Sequence, residues 1–230
     1  MTMKIVLAST SPRRRELIKR IVDEFEAVSA DVDEKAIEER LEEHRGSLSE
    51  AALAEKTVRA LSRAKALAAW EKHGKPDNTL FIGADTVVAL ENEILGKPKD
   101  REDAVRMLRA QSLEPQQVFT GVTLAARNSG GEMRIRTFTE KSLVIFHALD
   151  DAQEARIQAY CDTPEPYDKA GAYGIQLGGG ALVDRYEGDY DNIVGFPVER
   201  VRKELTEFIS ACPGNCSACS ACEGCKTLGK

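Results

Sequence analysis

The sequence lacks the features that mark membrane, secreted and nucleic-acid-binding proteins. No run of 18 apolar residues occurs, so no membrane-spanning helix is expected. The apolar stretch at 5–8 is short and is followed by arginines, whereas a signal peptide carries its charge before a longer apolar region. The net charge of -6 gives no general attraction to nucleic acid polymers or anionic lipid. We therefore expect a cytoplasmic protein, in which binding of any phosphate would require local clusters of positive charge.

Cysteine is scarce outside the last residues of the chain. Cys161 stands alone, and the other five of the six cysteines lie between 212 and 225. A disulfide framework would be spread through the chain, so the body of the protein needs no disulfides. The last residues are small, cysteine-rich and weakly apolar, and we predict one domain over residues 1–211 and an appended tail over 212–230. The C-x-x-C spacing of the tail suits zinc or an iron–sulfur cluster. A tail without metal is the alternative that we favour, because no histidine accompanies these cysteines.

Apolar patterning predicts an α/β fold with a mixed, twisted sheet and flanking helices. The predicted strands cover 4–9, 25–30, 80–90, 118–126 and 134–147, the last two as a hairpin. Helices are predicted to begin after Ser11, with a stripe that continues to Ile21 and Val22, and after Asp100. Further helices are predicted at 49–72, with Ala64 and Ala68 on the apolar face, and at 151–161 and 199–209. The segment 171–195 is rich in glycine and is left without regular elements.

Arginines follow the first predicted strand at an unusual place. Arg13, Arg14 and Arg15 fall in the first turn of a helix, where each exposed positive charge opposes the helix dipole by about 0.3–1 kcal/mol. A strand, a turn with hydroxyl groups and a helix N-terminus also form a common anion site, in which a bound phosphate would make these charges favourable. A solvated basic patch is the alternative, and this segment alone does not exclude it.

Asp85 stands out because it interrupts an apolar strand. It follows 80–82 and Gly83, and the strand pattern continues through 86–88, so a simple turn explains it poorly. A carboxylate that is partly buried needs a partner, a metal or a proton. It could orient a water molecule or bind a divalent ion.

Two further segments could contact a ligand. Lys97 lies between Gly96 and Pro98, and a lysine on a fixed loop can act as a point charge for phosphate. Gln176 ends a segment with glycines at 171 and 174, and its amide could read the edge of a base. Each has a simpler interpretation, as an exposed loop lysine and a glycine-rich turn. Neither a dinucleotide fingerprint nor a Walker phosphate loop is present.

Taken together, these motifs resemble the Maf (septum formation) family over about residues 4–208. The matching segments are LASTSPRR at 7–14, GADTVV at 83–88, LGKP at 95–98, TPEPYDKAGAYGIQ at 163–176 and VGFP at 194–197. The resemblance implies two lobes around a deep cleft, in the same broad fold as inosine-triphosphate pyrophosphatases. It also implies hydrolysis of nucleoside triphosphates to the monophosphate and pyrophosphate with a divalent metal such as Mg²⁺ or Mn²⁺. Homodimers are common in the family.

The resemblance also assigns expected roles to residues. Asp85 matches the proton acceptor, and Asp85 and Glu34 match the carboxylates that would hold the metal. The positions that match phosphate-binding and metal-binding residues of the cleft are Ser9, Arg14, Glu34, Lys65 and Lys97. Arg13, Thr86 and Gln176 match the subfamily that acts on dTTP and UTP.

Two alternatives remain open from the sequence. One is a pyrophosphatase that prefers 7-methyl-GTP or a non-standard purine nucleotide, against which Thr86 and Gln176 argue. The other is a non-catalytic regulator of cell division, which would have no reason to keep Asp85, Lys97 and the arginines together.

Overall fold

The computed structural model describes residues 3–43, 45–127 and 131–210. The cysteine-rich tail and most of the predicted hairpin turn lie outside the described residues. Within the described ranges, no helix combines the length and the apolar composition that crossing a bilayer requires.

A mixed sheet forms the centre of the structure, as predicted. In the described part of the chain its strands are Lys4–Ala8 (β1), Glu26–Val28 (β2), Thr79–Ala89 (β3), Ile94–Leu95 (β4), Gln116–Arg127 (β5), Met133–Phe146 (β6) and Val183–Glu187 (β7). Their order is β2-β1-β3-β5-β6-β7, and β4 pairs with β3 outside this path. β2, β1 and β3 run parallel, whereas the pairs from β3 to β7 and the β3–β4 pair are antiparallel.

Helices flank the sheet, and the two predicted to follow the capping residues Ser11 and Asp100 begin there. The helices are Pro12–Ile18 (α1), Glu34–Glu42 (α2), Glu50–Lys72 (α3), Arg101–Gln111 (α4), Asp151–Cys161 (α5), Tyr190–Val194 (α6) and Val198–Ser210 (α7). The side chains of Ser11 and Asp100 accept hydrogen bonds from backbone N–H groups of the first turn, which stabilises these starts. The prediction that the first helix continues to Ile21 and Val22 is wrong. α1 ends at Ile18, and those two side chains are buried in the turn that follows.

The long helix α3 packs unusually close to the sheet. A Cβ atom at Gly83 would lie 2.1 Å from the carbonyl oxygen of Ser62, and one at Gly121 would lie 2.3 Å from that of Val58. The backbone of α3 therefore touches β3 and β5 where these strands have no side chain. The buried face continues through Ala66 and Ala69.

The predicted face of α3 is wrong at its end, because Ala64 and Ala68 are only partly buried. Steps of four and three residues from Val58 lead to 62, 66 and 69, which keep to one side of the helix. Lys65 consequently lies at the margin of the buried face.

Two large hydrophobic clusters lie towards opposite ends of β3 and β5. One includes Leu80 and Leu124 with α1 and α7, and the other includes Val88 and Val118 with α4 and α5. Between them, β3 loses its neighbour on one side: β1 pairs only as far as Gly83, and β4 begins to pair at Val88. The cleft opens at this unpaired stretch, beyond the carboxyl end of β1, where ligands of α/β sheets commonly bind.

Candidate active site

A cleft of about 800 Å³ gathers all nine of the candidate residues predicted from the sequence. Its lining includes Ser9, Arg13, Arg14, Glu34, Lys65, Asp85, Thr86, Lys97 and Gln176. Arg15, the third residue of the predicted arginine cluster, does not line it. The cleft has the size and the mixed polarity of a small-molecule site.

The unpaired stretch of β3 supplies the centre of the cleft from both faces of the sheet. Successive side chains of a strand point to opposite faces. Asp85 accordingly contacts α3, and Thr86 contacts Arg14 and the turn at Gly195. Because no strand covers this edge of β3 among the described residues, both side chains reach the same cleft.

An ion triad lies on the α3 face. The Nζ of Lys65 donates a 2.6 Å hydrogen bond to Oδ1 of Asp85 and lies 3.0 Å from Oε1 of Glu34. The side chains of Lys65 and Asp85 are only 12% and 11% exposed, whereas that of Glu34 is 49% exposed. A charge this deeply buried needs the opposite charge beside it, and Lys65 supplies that charge for Asp85.

Burial raises the pKa of the Asp85 carboxyl above its ordinary value. The positive charges of Lys65 and Arg14 oppose this shift, and Glu34 adds to it. A carboxylate with a raised pKa holds a proton more readily than an exposed aspartate does. This is the property required of a general base that works near neutral pH.

Arg14 is held on the other face by neutral acceptors. Its Nε donates to the carbonyl oxygen of Gly195 at 2.9 Å, and its Nη2 donates to Oγ1 of Thr86 at 2.9 Å. Gly195 ends α6 with φ of 115°, a left-handed conformation that favours glycine and turns its carbonyl towards the arginine. Burial lowers the pKa of Arg14, but a guanidinium remains protonated in proteins. These bonds use Nε and one N–H of Nη2, and Arg14 lines the cleft.

The mouth of the cleft is more exposed. Nη1 of Arg13 lies 3.5 Å from Oδ2 of Asp168, whose side chain is 65% exposed. Asp168 also accepts a 2.5 Å hydrogen bond from the buried Lys169. This contact joins the start of α1 to the segment that leads to Gln176 on the opposite wall.

Lys97 and Gln176 lie on loops that the structure ties together. The N–H of Gly171 donates to the carbonyl oxygen of Gly96 at 3.0 Å, next to Lys97. Gly171 has φ of 71°, and a Cβ there would come within 3.0 Å of Val88. The glycine-rich segment contains three short 3-10 helices, Pro166–Asp168, Ala170–Ala172 and Gly178–Leu182. Residues 168–170 and 173–176 of this segment line the cleft.

Glu38 is a cleft residue that the sequence analysis missed. It lies one turn after Glu34 on α2 and also lines the cleft. Its pKa is raised by burial first, and then by the charges of Asp85 and Glu34. The four-residue spacing of these two glutamates places both on one face of a helix, so the sequence could have predicted that Glu38 accompanies Glu34.

The carboxylates of the cleft fit a divalent cation only with help from a ligand. The described residues contain no group of three or more His, Cys, Asp or Glu side chains that could hold a metal. Asp85 and Glu34 lie on either side of Lys65 and supply hard oxygen donors. Mg²⁺ is typically held by one or two carboxylates, with phosphate oxygens and water completing its coordination. The two carboxylates fit that pattern when a triphosphate is present.

Comparisons with known proteins cover nearly the same residues as the described structure. A family model described as Maf-like protein matches residues 4–208. A dTTP/UTP pyrophosphatase of Carboxydothermus hydrogenoformans is 43% identical over 208 residues, which are 90% of this chain and 99% of that protein.

Relatives in other bacteria have the same name. A dTTP/UTP pyrophosphatase of Acetivibrio thermocellus is 43% identical over 210 residues, covering 90% of this chain and 96% of that protein. One of Porphyromonas gingivalis is 41% identical over 206 residues, covering 89% and 94%. The cleft lies entirely within the residues that the family model matches.

Proposed function

The chain belongs to the Maf family, and on that premise we propose that its cleft hydrolyses dTTP, UTP and related or modified pyrimidine nucleotides to the monophosphate and pyrophosphate. The observation that carries the proposal is the arrangement of charge. The buried carboxylate of Asp85 contacts Lys65, and the charge of Arg14 also acts on it, in a cleft large enough for a nucleotide. Titratable groups whose pKa is shifted by burial and by nearby charges cluster at the active sites of enzymes.

In this mechanism Asp85 is the general base. It takes a proton from the water molecule that attacks the α-phosphorus. The bond between the α-phosphorus and the bridging oxygen breaks, and pyrophosphate leaves with the electron pair. The raised pKa of Asp85 makes it a suitable proton acceptor, and the hydrogen bond from Lys65 fixes the orientation of its carboxylate.

The cations stabilise the charge that develops on the leaving pyrophosphate. Arg14 presents its free N–H groups from one face of β3, and Lys65 its ammonium from the other. Lys97 and Arg13 add positive charge at the mouth, and Ser9 adds a hydroxyl at the end of β1. Such fixed charges contribute most where water is scarce, and Asp85 is buried while Arg14 is partly buried.

A divalent metal such as Mg²⁺ or Mn²⁺ would be held by Asp85 and Glu34 together with the triphosphate. When bound, it would neutralise phosphate charge and polarise the phosphoryl oxygens. The residues described above would still bind and orient the nucleotide and accept the proton.

Preference for a pyrimidine base is assigned to Arg13, Thr86 and Gln176. Gln176 is exposed at the rim, where its amide can offer both donors and an acceptor to a base edge. Thr86 is engaged by Arg14 instead of facing the rim, so its influence on the substrate passes through the arginine.

Product analysis with four nucleotides tests the proposal. The full chain is incubated with dTTP, UTP, CTP and 7-methyl-GTP, each with and without Mn²⁺, and the products are separated by ion exchange. We expect dTMP or UMP with pyrophosphate, and little product without metal. Preferential turnover of 7-methyl-GTP would replace the pyrimidine assignment, and release of orthophosphate would exclude attack at the α-phosphorus.

The location, the oligomeric state and the domain boundary of the protein remain to be tested. We propose a cytoplasmic location, a homodimer, and a domain boundary at residue 211. Light scattering on the full chain measures the oligomeric state. Metal analysis of the reduced protein tests the tail, for which bound zinc or iron would contradict the metal-free alternative.

A further inference from the structure

A chain of hydroxyl groups leads from Arg14 into the interior. Nη2 of Arg14 donates to Oγ1 of Thr86 at 2.9 Å, and that oxygen lies 3.0 Å from Oγ1 of Thr120. Oγ1 of Thr120 then donates to the carbonyl oxygen of Asn192 at 3.1 Å. Thr86 and Thr120 are direct partners in the β3–β5 register, which places both hydroxyls on one face of the sheet. Thr120 and Asn192 have no exposed surface, so the chain ends inside the protein.

The number of hydrogens fixes the direction of this chain. A hydroxyl group has one hydrogen to donate and two lone pairs to accept with. Thr120 uses its hydrogen on Asn192, so the bond between the two threonines must be donated by Thr86. The lone pairs of Thr86 are then free to accept from Arg14. Without the Thr120 hydroxyl, the hydrogen of Thr86 could still reach the carbonyl oxygen of Gly195, but only at 3.5 Å.

The inner end of the chain is firmly anchored. The side-chain amide of Asn192 donates to the carbonyl oxygen of Val118 at 3.1 Å and to Oγ of Ser142 at 2.9 Å. Ser142 donates in turn to the carbonyl oxygen of Asp189 at 2.9 Å. These bonds tie α6 to β5 and β6, so the carbonyl that receives the hydrogen of Thr120 has a fixed position.

We propose that Thr120 is a positioning residue for Arg14: its buried hydroxyl holds Thr86 as an acceptor and so aims the remaining N–H groups of the guanidinium at the triphosphate. Thr120 does not line the cleft and contacts no substrate. The inference rests on the proposed function, because it requires that Arg14 binds the phosphates.

A matched pair of valine substitutions tests the proposal. Thr120→Val keeps the shape of the side chain and removes the hydroxyl. Thr123→Val does the same on the other face of β5, where the hydroxyl contacts Ser62 at 3.0 Å and Thr137 at 2.9 Å and no cation of the cleft. Both threonines are fully buried, so a loss of stability is expected in both variants.

The two variants are expected to differ in activity. Thr120→Val should lower kcat/KM for dTTP about tenfold, which corresponds to about 1.4 kcal/mol of lost transition-state stabilisation. It should also weaken the binding of inorganic pyrophosphate, measured by calorimetry. Thr120→Ser, which restores the hydroxyl, should recover most of both. Thr123→Val should leave both close to wild type at a similar melting temperature.

A double-mutant cycle asks whether Thr120 acts through Arg14. Arg14→Lys removes the planar guanidinium that Thr86 orients. In this background, adding Thr120→Val should lower kcat/KM by less than about twofold. If Thr120→Val lowered kcat/KM equally in the wild-type and Arg14→Lys backgrounds, the proposal would be overturned. The same holds if Thr120→Val and Thr123→Val had similar kinetics. If Thr120→Val does not fold, Thr120→Cys, with its weaker donor, replaces it under the same criteria. A wild-type protein that releases no pyrophosphate would instead contradict the proposed function.

Discussion

The two faces of β3 hold their cations in different ways. On one face, Lys65 is held by the carboxylates of Asp85 and Glu34, which can gain or lose protons. On the other, Arg14 is held by a carbonyl and a hydroxyl, which are neutral at any working pH. The comparison separates the two tasks that we propose for adjacent residues: proton transfer for Asp85, and holding a permanent charge in place for Thr86. The pH response of the enzyme should therefore come from the α3 face alone.

The largest expected effect comes from removing the acid. Asp85→Asn keeps the size of the side chain but abolishes its basicity, so kcat for dTTP should fall by about 10²- to 10⁴-fold, the usual contribution of a general base. Thermal unfolding and circular dichroism serve as controls for the fold. Turnover near the wild-type rate in a folded variant would contradict the assignment.

The next largest effect is expected from Lys65→Met, which should change both the rate and its dependence on pH. Lys65→Met should lower kcat about 10²-fold or more, as the loss of a preorganised charge does in other active sites. It also removes a cation that lowers the pKa of Asp85, so that pKa should rise further. Because the base works when deprotonated, the acid limb of the kcat/KM profile should move to higher pH.

Arg14→Lys provides the comparison for this shift. It should reduce kcat/KM through lost bidentate contacts while keeping a positive charge near Asp85. We therefore expect its acid limb to stay near that of the wild type. If the acid limb moved equally in Lys65→Met and Arg14→Lys, the proposed difference between the two faces of β3 in their effect on Asp85 would be wrong.

A smaller effect is expected from the packing that brings Lys65 to Asp85. Gly121→Ala places a Cβ within 2.3 Å of the backbone of α3, so the helix must move outwards. We expect the free energy of unfolding to fall by about 1–3 kcal/mol, the range for overpacking, and kcat to fall with it. Gly46→Ala is the control, because its Cβ would meet nothing within 4 Å. Unchanged kcat in Gly121→Ala would show that Lys65 tolerates displacement.

The smallest effect is expected at the mouth. The ion pair of Arg13 and Asp168 lies at the solvent-exposed mouth, and such pairs contribute about 0–1 kcal/mol. An asparagine at 168 keeps an oxygen that can accept the hydrogen bond from Lys169. Asp168→Asn should therefore change KM for dTTP by less than about fivefold. Asp162→Asn, which breaks the exposed pair with Arg101 away from the cleft, is the matched control. A large loss in Asp168→Asn would place this residue in the binding machinery.

Local signals predicted much of the fold. The caps at Ser11 and Asp100 and the long hairpin strands follow from residue type and alternation, and they were predicted correctly. β4 and α6 were missed because they are too short for a periodic pattern. β7 was missed because it follows a glycine-rich segment and its side chains are mostly exposed.

The candidate site was predictable only where motifs contain it. Asp85 could be found because a charge interrupts an apolar strand. Thr120 and Asn192 could not be found, because nothing in the sequence distinguishes a buried threonine in one strand from another. Their contact joins residues 72 positions apart and is visible only in the folded structure. The role of Gly121 was also not predictable. Only the strand register, in which it pairs with Asp85, shows that the backbone of α3 packs where a side chain at 121 would lie.

The alternation of side chains along β3 makes activity sensitive to strand pairing. A slip of β3 by one residue would turn Asp85 towards the hydroxyl network and Thr86 towards Lys65. Lys65 would then meet an alcohol instead of an acid, and Arg14 an acid instead of an alcohol. Ten paired positions with β5 oppose such a slip. A single-residue insertion between 79 and 84 would therefore be far more damaging than the same insertion in a surface loop, even if the inserted chain still folded.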